Sequence, residues 1–280
     1  MPTARLILLL CACAAAAFGA ARAAAAPERI LSLNLCADQY LLALADPSQI
    51  AALTSFATDP HMSAAAGQAE AFASTGGSIE EVLAIRPDLV IATPFSRAER
   101  GRLMQKFGVE TVSLQPANSF LEVEDRIREV GQLVGRSARA ELLVADMRAS
   151  LAALPRNPGQ DRTAAYYQRR GYLTGGETLV DDLMQRAGLR NLATELGRPA
   201  LSRLSLEEIA LARPDFLIVE EATLDAPDRG AAMLRHPLLE DIPRLVLPQA
   251  WTVCGGPAYV RAAAALAEQL RRADADPPVR

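Results

Sequence analysis

Large aromatic and basic side chains stand in the segments that follow the short apolar runs of this chain. Aromatic rings suit the flat face of a conjugated ligand, and guanidinium groups suit carboxylates because they donate paired hydrogen bonds. If the apolar runs are strands of an open parallel sheet, these segments meet at the edge where such sheets bind ligands. The candidate ligand-binding residues are Phe56, Phe95, Arg97, Tyr166, Tyr167, Arg169, Arg170, Tyr172 and Trp251.

Two pairs of these candidates have a plain structural alternative. Tyr166 and Tyr167 are neighbours at the end of an apolar run, and successive side chains of a strand point to opposite faces, so either can belong to a core. Arg169 and Arg170 are equally compatible with a solvated loop. The sequence leaves both alternatives open.

Cys36 and Cys254 are the cysteines that follow the first 26 residues, and each lies where a loop enters a predicted helix. Three interpretations are open: a disulfide that hinders separation of the parts it joins, two free thiols near a ligand, or two buried and inert small residues. A disulfide requires that the two Cα atoms lie within about 7 Å of each other.

The remaining motifs argue against catalysis and against direct metal binding. His61 and His236 are the only histidines, and two histidines in distant segments do not make a metal-ligand cluster. The chain contains no G-x-S-x-G elbow, no H-E-x-x-H motif and no G-x-G-x-x-G fingerprint. We therefore expect a binding protein that is not an enzyme, with no cofactor and no protein-ligated metal.

One block of sequence occurs twice in the chain. Residues 78–91 read SIEEVLAIRPDLVI, and residues 205–218, which begin 127 positions later, read SLEEIALARPDFLI. In each copy the serine and the second glutamate, Glu81 or Glu208, form a helix capping box. The proline then ends the helix ahead of a buried strand. Two similar halves predict a cleft between them, where ligands bind.

Apolar runs alternate with helical patterns in both halves, which predicts parallel sheets covered by helices. Between the halves, residues 119–154 carry a helical pattern with a weak point at 131–135. The predicted fold class is α/β, with two Rossmann-like lobes joined by one long helix and a ligand cleft between the lobes. The predicted domains are an N-terminal lobe at 27–118, a linking helical segment at 119–160 and a C-terminal lobe at 161–280.

Residues 1–26 have the pattern of a signal peptide. Arg5 precedes an apolar run from 6 to 17, and residues 23–26 offer small side chains for cleavage. An exported chain enters an oxidising compartment. The formal net charge is −4, and a mildly acidic chain is a poor partner for nucleic acid.

Three stretches together resemble the periplasmic binding proteins for vitamin B12 and ferric siderophores, which deliver ligand to ABC importers. They are residues 29–34 at the first strand, the two repeated blocks, and residues 247–257 ahead of the last helix. The resemblance covers roughly residues 28–270. It implies a monomeric periplasmic protein whose ligand is a metal chelate: a ferric siderophore, cobalamin or a related corrinoid, or haem.

The resemblance also implies a partner, an ABC permease in the inner membrane. One acidic residue of each lobe meets basic residues of the permease, and the matching positions are Glu80 and Glu207. Each is the first glutamate of its block, which has no part in the capping box and is expected to face solvent. Favourable interaction with the helix dipole is the alternative role of both.

One departure from the family pattern keeps the ligand open. Vitamin B12 binders of this type present tryptophans from the loops ahead of the two blocks, where this chain has Ser74 and Leu201. The only tryptophan is Trp251. A corrinoid, a haem and a ferric siderophore all stay open as ligands. A sensor domain for a membrane partner and, less favourably, an α/β enzyme are the alternative functions.

Overall fold

The computed structural model of the 280-residue chain describes residues 26–93, 104 and 106–275. The candidates Phe95 and Arg97, and the predicted signal peptide apart from Ala26, lie outside the described residues. No helix in the described part of the chain is both long enough and apolar enough to cross a membrane.

The N-terminal lobe is built on a parallel sheet, as the alternation of apolar runs and helical patterns predicts. Its strands are β1 Ile30–Ser32, β2 Ile50–Thr54, β3 Ser74–Thr75, β4 Leu89–Ala92 and β5 Glu110–Ser113, and its helices are α1 Leu35–Leu44, α2 Ala66–Ala69 and α3 Ile79–Ile85. The strand order is β3-β2-β1-β4-β5. Parallel neighbours need a crossover connection, and α1 supplies the one between β1 and β2.

The C-terminal lobe has a second parallel sheet, in the order β11-β10-β6-β8. The strands of this lobe are β6 Arg162–Tyr166, β7 Tyr172–Thr174, β8 Leu189–Asn191, β9 Leu201–Arg203, β10 Phe216–Glu220 and β11 Arg244–Leu247. Its helices are α6 Leu179–Arg186, α7 Leu192–Glu195, α8 Leu206–Ala212, α9 Arg229–Ala232 and α10 Tyr259–Ala275. Strands β7 and β9 pair antiparallel in a separate two-stranded sheet.

The two copies of the repeated block fold in the same way. Helices α3 and α8 begin after Ser78 and Ser205, and both serines are N-caps whose hydroxyls accept a hydrogen bond from the N–H of Glu81 or Glu208. The glutamate side chains return to the serine N–H groups, so the predicted capping boxes are confirmed in both lobes. Local sequence alone therefore sets where these helices begin.

The aspartate of each block joins its strand to the neighbouring strand, a role that the spacing alone does not predict. Asp88 accepts hydrogen bonds from the N–H groups of Glu28 and Arg29, at 2.7 and 3.0 Å, just ahead of β1. Asp215 accepts one from the N–H of Thr163 in β6, at 2.8 Å. Both carboxylates hold the start of the block's strand against the first strand of its lobe.

The linking segment contains two helices, α4 Phe120–Leu133 and α5 Ser137–Ala152, and the break falls at the predicted weak point. Gly135 has a left-handed φ of 70°, which suits glycine. The helices run antiparallel, because Arg128 of α4 pairs with Glu141 early in α5, whereas Glu124 near the start of α4 pairs with Arg148 late in α5. Helix α5 is the long helix that leads into the C-terminal lobe.

One apolar core continues through both lobes and the linking helices. Its buried members include Leu44 of α1, Ile127 of α4, Met147 of α5, Leu183 of α6 and Leu266 of α10. Smaller clusters cover the other faces of the two sheets. Because the largest core is shared, the lobes are packed against common helices rather than tethered by a loose linker.

We expect Gly131→Ala to destabilise the protein. A Cβ at Gly131 would lie 2.4 Å from the Cβ of Ala140, where α4 meets α5. Overpacking costs about 1–3 kcal/mol, which exceeds the gain of about 1 kcal/mol in helix propensity. Urea denaturation measures the difference. Gly67→Ala is the matched control, because Gly67 lies in α2 with no atom within 4 Å of an added Cβ. Equal stability of Gly131→Ala and wild type would contradict close packing of the two helices.

Candidate ligand-binding cleft

A cavity of about 290 Å³ lies between the two lobes, at the carboxyl ends of strands. This volume is near the lower limit of about 300 Å³ for small-molecule pockets. The described residues that line it are Cys36, Tyr40 and 115–118 from the N-terminal side, and Tyr166, Gln168, Thr174, 178–180, Glu220, Gln249 and 252–255 from the C-terminal lobe.

A second cavity, of about 330 Å³, lies where α5 ends and the chain enters the C-terminal lobe. Its lining comes from residues 151–152 and 154–158, from the end of α6 and from α10. The cavity between the lobes has more converging polar side chains, and it lies at the strand ends where α/β sheets bind ligands. It is therefore the better candidate for a site.

Cys36 and Cys254 form a disulfide that joins the two lobes beside the cavity. Their Cα atoms are 5.3 Å apart, and 218 positions separate them in the sequence. Cys36 lies at the start of α1, where its N–H donates to the side chain of Asn34. The sequence leaves three interpretations of these cysteines open, and the structure supports the first, a disulfide between the lobes.

A second contact between the lobes lies next to the disulfide. The hydroxyl of Tyr40 donates to the backbone oxygen of Gly255, and burial raises the pKa of Tyr40, so this hydroxyl stays protonated. Gly255 packs tightly on the segment after β5, since a Cβ there would lie 2.3 Å from the oxygen of Ala117. Glycine is required at this close approach.

Four side chains form a hydrogen-bonded network at the cavity wall. Gln168 Nε2 donates to Oε1 of Glu220 at 2.7 Å, and the hydroxyl of Tyr166 lies 3.3 Å from the same oxygen. Tyr166 is also 3.2 Å from the hydroxyl of Thr252. Burial, and then the charge of Glu220, raises the pKa of Tyr166, so the phenol keeps its proton.

Among the candidate ligand-binding residues that the structure describes, Tyr166 alone lines the cavity. Tyr167 points to the opposite face of the sheet, where its hydroxyl donates to the backbone oxygen of Leu204 at 2.8 Å. Burial raises the pKa of Tyr167 to about 12. The alternation of strand side chains thus separates the two tyrosines, one facing the cleft and the other in the core.

The candidate arginines and Tyr172 lie outside the cavity lining. Arg169 forms an exposed ion pair with Asp228, at 3.3 Å. Arg170 is exposed and has a left-handed φ of 61°. Tyr172 accepts a hydrogen bond from Arg203, whose guanidinium lies 4.5 Å from the ring centroid. These groups therefore engage protein partners or solvent rather than the cavity.

Two aromatic candidates occupy segments that follow strands but do not line the cavity. Phe56 follows β2 and is 56% exposed. Trp251 follows β11, packs partly against the shared core, and has the guanidinium of Arg261 5.4 Å from its ring centroid. Both stand at the edge of the sheets where the candidates are expected.

Several residues that line the cavity are not among the candidates predicted from the sequence. Gln115 and Asn118 follow β5. They could have been found from the sequence, because they lie in a segment after a strand, just ahead of the linking helices. Glu220 is a charged residue that ends an otherwise apolar strand. A charged residue at the end of a buried strand could have been recognised in the sequence as a functional candidate, because a buried carboxylate is costly unless it has hydrogen-bond partners.

Glu80 and Glu207 are exposed at the first turns of α3 and α8, in equivalent positions of the two lobes. The carboxylate of Glu80 accepts hydrogen bonds from its own N–H and from the Ser78 hydroxyl, which lower its pKa. Glu80 is exposed and outside the capping box, as expected, and it adds a contact of its own to the helix start.

Among the described residues, no three His, Cys, Asp or Glu side chains come together as a metal site. His236 Nδ1 accepts a hydrogen bond from the N–H of Leu238, and the His61 N–H donates to Asp59. Both contacts are local ones within turns.

The family model for periplasmic binding proteins matches residues 30–244. This chain belongs to the periplasmic binding protein family. The family consists of binding proteins rather than enzymes, as the absence of catalytic motifs from the sequence predicts.

A relative of this periplasmic binding protein is the cobalamin-binding protein of Halobacterium salinarum, which is 24% identical over 215 residues. The match covers 75% of this chain but only 58% of that relative. The periplasmic haem-binding protein RhuT of Roseiflexus sp. RS-1 has a TM-score of 0.73 at 24% identity, covering 88% of this chain and 98% of that one. For the periplasmic haem-binding protein of Pseudomonas aeruginosa the TM-score is 0.70 at 23% identity, with 88% and 93% covered. The solved structures establish the two-lobed α/β fold.

We expect Cys36→Ser combined with Cys254→Ser to lower the free energy of unfolding by about 2–5 kcal/mol, because the bridge closes a long loop and restricts the unfolded chain. Urea denaturation of the oxidised wild type and of the double variant measures this loss. Dithiothreitol should reduce the stability of the wild type and leave that of the double variant unchanged. Detection of two free thiols in the native oxidised protein by mass spectrometry would rule out the bridge.

Proposed function

We propose that this periplasmic binding protein captures a metal chelate between its lobes and delivers it to an ABC importer. The observation that carries the proposal is a cavity with converging polar side chains between the two lobes of a chain that belongs to this family. The chelate is a ferric siderophore, cobalamin or a related corrinoid, or haem. Relatives described as cobalamin-binding and haem-binding support this ligand class.

The ligand is larger than the cavity, so part of it lies at the rim. Tyr166 contacts the part inside the cavity. Phe56 and Trp251, which follow strands of the two lobes, present aromatic surface to the flat face of the chelate. Phe95 and Arg97 follow β4 in the sequence and are candidates for the same edge.

The protein is exported to the periplasm, with its signal peptide cleaved near residues 23–26, and acts there as a monomer. Its membrane partner is the permease of the importer. Glu80 and Glu207 are the docking contacts, because the repeat presents one exposed carboxylate at the same helix start in each lobe. Two equivalent negative charges suit a permease with a basic residue for each lobe.

Purification of the protein from its native periplasm tests the ligand class. We expect absorbance spectra and metal analysis to reveal one bound chelate, since a corrinoid, a haem and a ferric siderophore absorb differently. The emptied protein is then titrated with cyanocobalamin, haemin and a set of ferric siderophores. The proposal would be refuted if the protein bound no corrinoid, no haem and no ferric siderophore.

Docking is tested by reversing charge in Glu80→Lys combined with Glu207→Lys. We expect ligand affinity to stay within about twofold of wild type, because neither residue lines the cavity, and ligand uptake by cells to be lost. Glu240→Lys, which reverses an exposed charge elsewhere on the C-terminal lobe, is the control and should support normal uptake. Normal uptake by the double variant, or a loss of its ligand affinity, would refute the docking role.

A further inference from the structure

The cavity between the lobes is lined by both polar and apolar groups, and the one charged side chain among its described lining residues is negative. The lining contains four carboxamides, Gln115, Asn118, Gln168 and Gln249, and one carboxylate, Glu220. None of the described residues that line the cavity is Lys, Arg or His. Carboxamides both donate and accept hydrogen bonds, so they pair well with a neutral amide of a ligand.

Glu220 ends β10, whose other four residues are apolar and buried. The residue is 6% exposed, and its remaining exposure is toward the cavity that it lines. Oε1 is paired with Gln168 at 2.7 Å and with Tyr166 at 3.3 Å. Oε2 has no hydrogen-bond donor among the described residues. Glu220 lines the cavity, and this oxygen is not among the fully buried unpaired side-chain atoms, so it is accessible there and can accept a hydrogen bond from a ligand.

Two described arginines on the loop after β6, Arg169 and Arg170, do not offset this charge. Arg169 is paired with Asp228 at 3.3 Å, on the exposed side of the loop that follows β6. Arg170 lies against Gly230, since a Cβ at that glycine would be 3.0 Å from Arg170 Cγ. Neither arginine lines the cavity, so neither receives a carboxylate there.

We propose that Glu220 makes the cleft selective for metal chelates that present N–H donors and against those that present carboxylates. The inference rests on the proposed function and narrows its ligand class. A corrinoid with carboxamide side chains suits the lining, whereas the propionates of haem bring a like charge against Glu220. Discrimination of this kind comes from the repulsion of the wrong ligand as much as from attraction of the right one.

The test uses a ligand pair that differs in one group: cyanocobalamin and its monocarboxylate, in which one side-chain amide is hydrolysed. We expect wild type to bind the amide form at least about tenfold more tightly, and Glu220→Gln to reduce this ratio to below about threefold while binding haemin more tightly. Glu221→Gln, which neutralises the adjacent exposed glutamate, is the control and should keep the wild-type ratio. Isothermal titration calorimetry gives each ratio. An unchanged ratio in Glu220→Gln would overturn the inference.

A second variant decides the matter if Glu220→Gln does not fold by circular dichroism. Gln249→Glu adds a carboxylate to the lining, and we expect it to widen the ratio between amide and carboxylate forms; an unchanged or smaller ratio would overturn the inference. If wild type binds haemin or the monocarboxylate at least as tightly as cyanocobalamin, the proposed selectivity is refuted but the proposed function is not. If wild type binds no corrinoid, haemin or ferric siderophore, both fall.

Discussion

The bond between Cys36 and Cys254 fixes the arrangement on which the cleft depends. It joins the first helix of one lobe to the segment ahead of the last helix of the other, beside the cavity. The contact between Tyr40 and Gly255 lies at the same place, and the shared apolar core continues behind both. Because covalent, hydrogen-bonded and apolar contacts coincide here, the lobes cannot part at this edge of the cavity without breaking the bridge.

The features that follow from local sequence are those that the sequence predicts well. A serine with a glutamate three positions later starts a helix in both lobes, and a proline ends it, because each signal acts on the backbone of its own turn. The antiparallel pair β7 and β9 is different. It pairs Tyr172 with Arg203, and α6, β8 and α7 lie between the two strands in the sequence. No local turn motif therefore predicts this pairing.

The candidate site shows the same division at the level of side chains. That segments after strands line the cleft follows from the parallel topology and is predictable. Which side chains reach the cavity is decided by tertiary partners: Tyr167 turns into the core, and Arg169 finds Asp228, which is distant in sequence. Glu220 becomes notable only when Gln168 and Tyr166 are seen to bind one of its oxygens.

The disulfide also constrains the order of events as the protein matures. Its partners, Cys36 and Cys254, are separated by 218 positions in the sequence. In a chain that crosses a membrane from its N-terminus, Cys36 emerges into the oxidising compartment long before its partner. If the chain is exported as proposed, that thiol has no native partner until Cys254 has also been translocated, and it depends on thiol-disulfide exchange in the compartment to avoid wrong pairings.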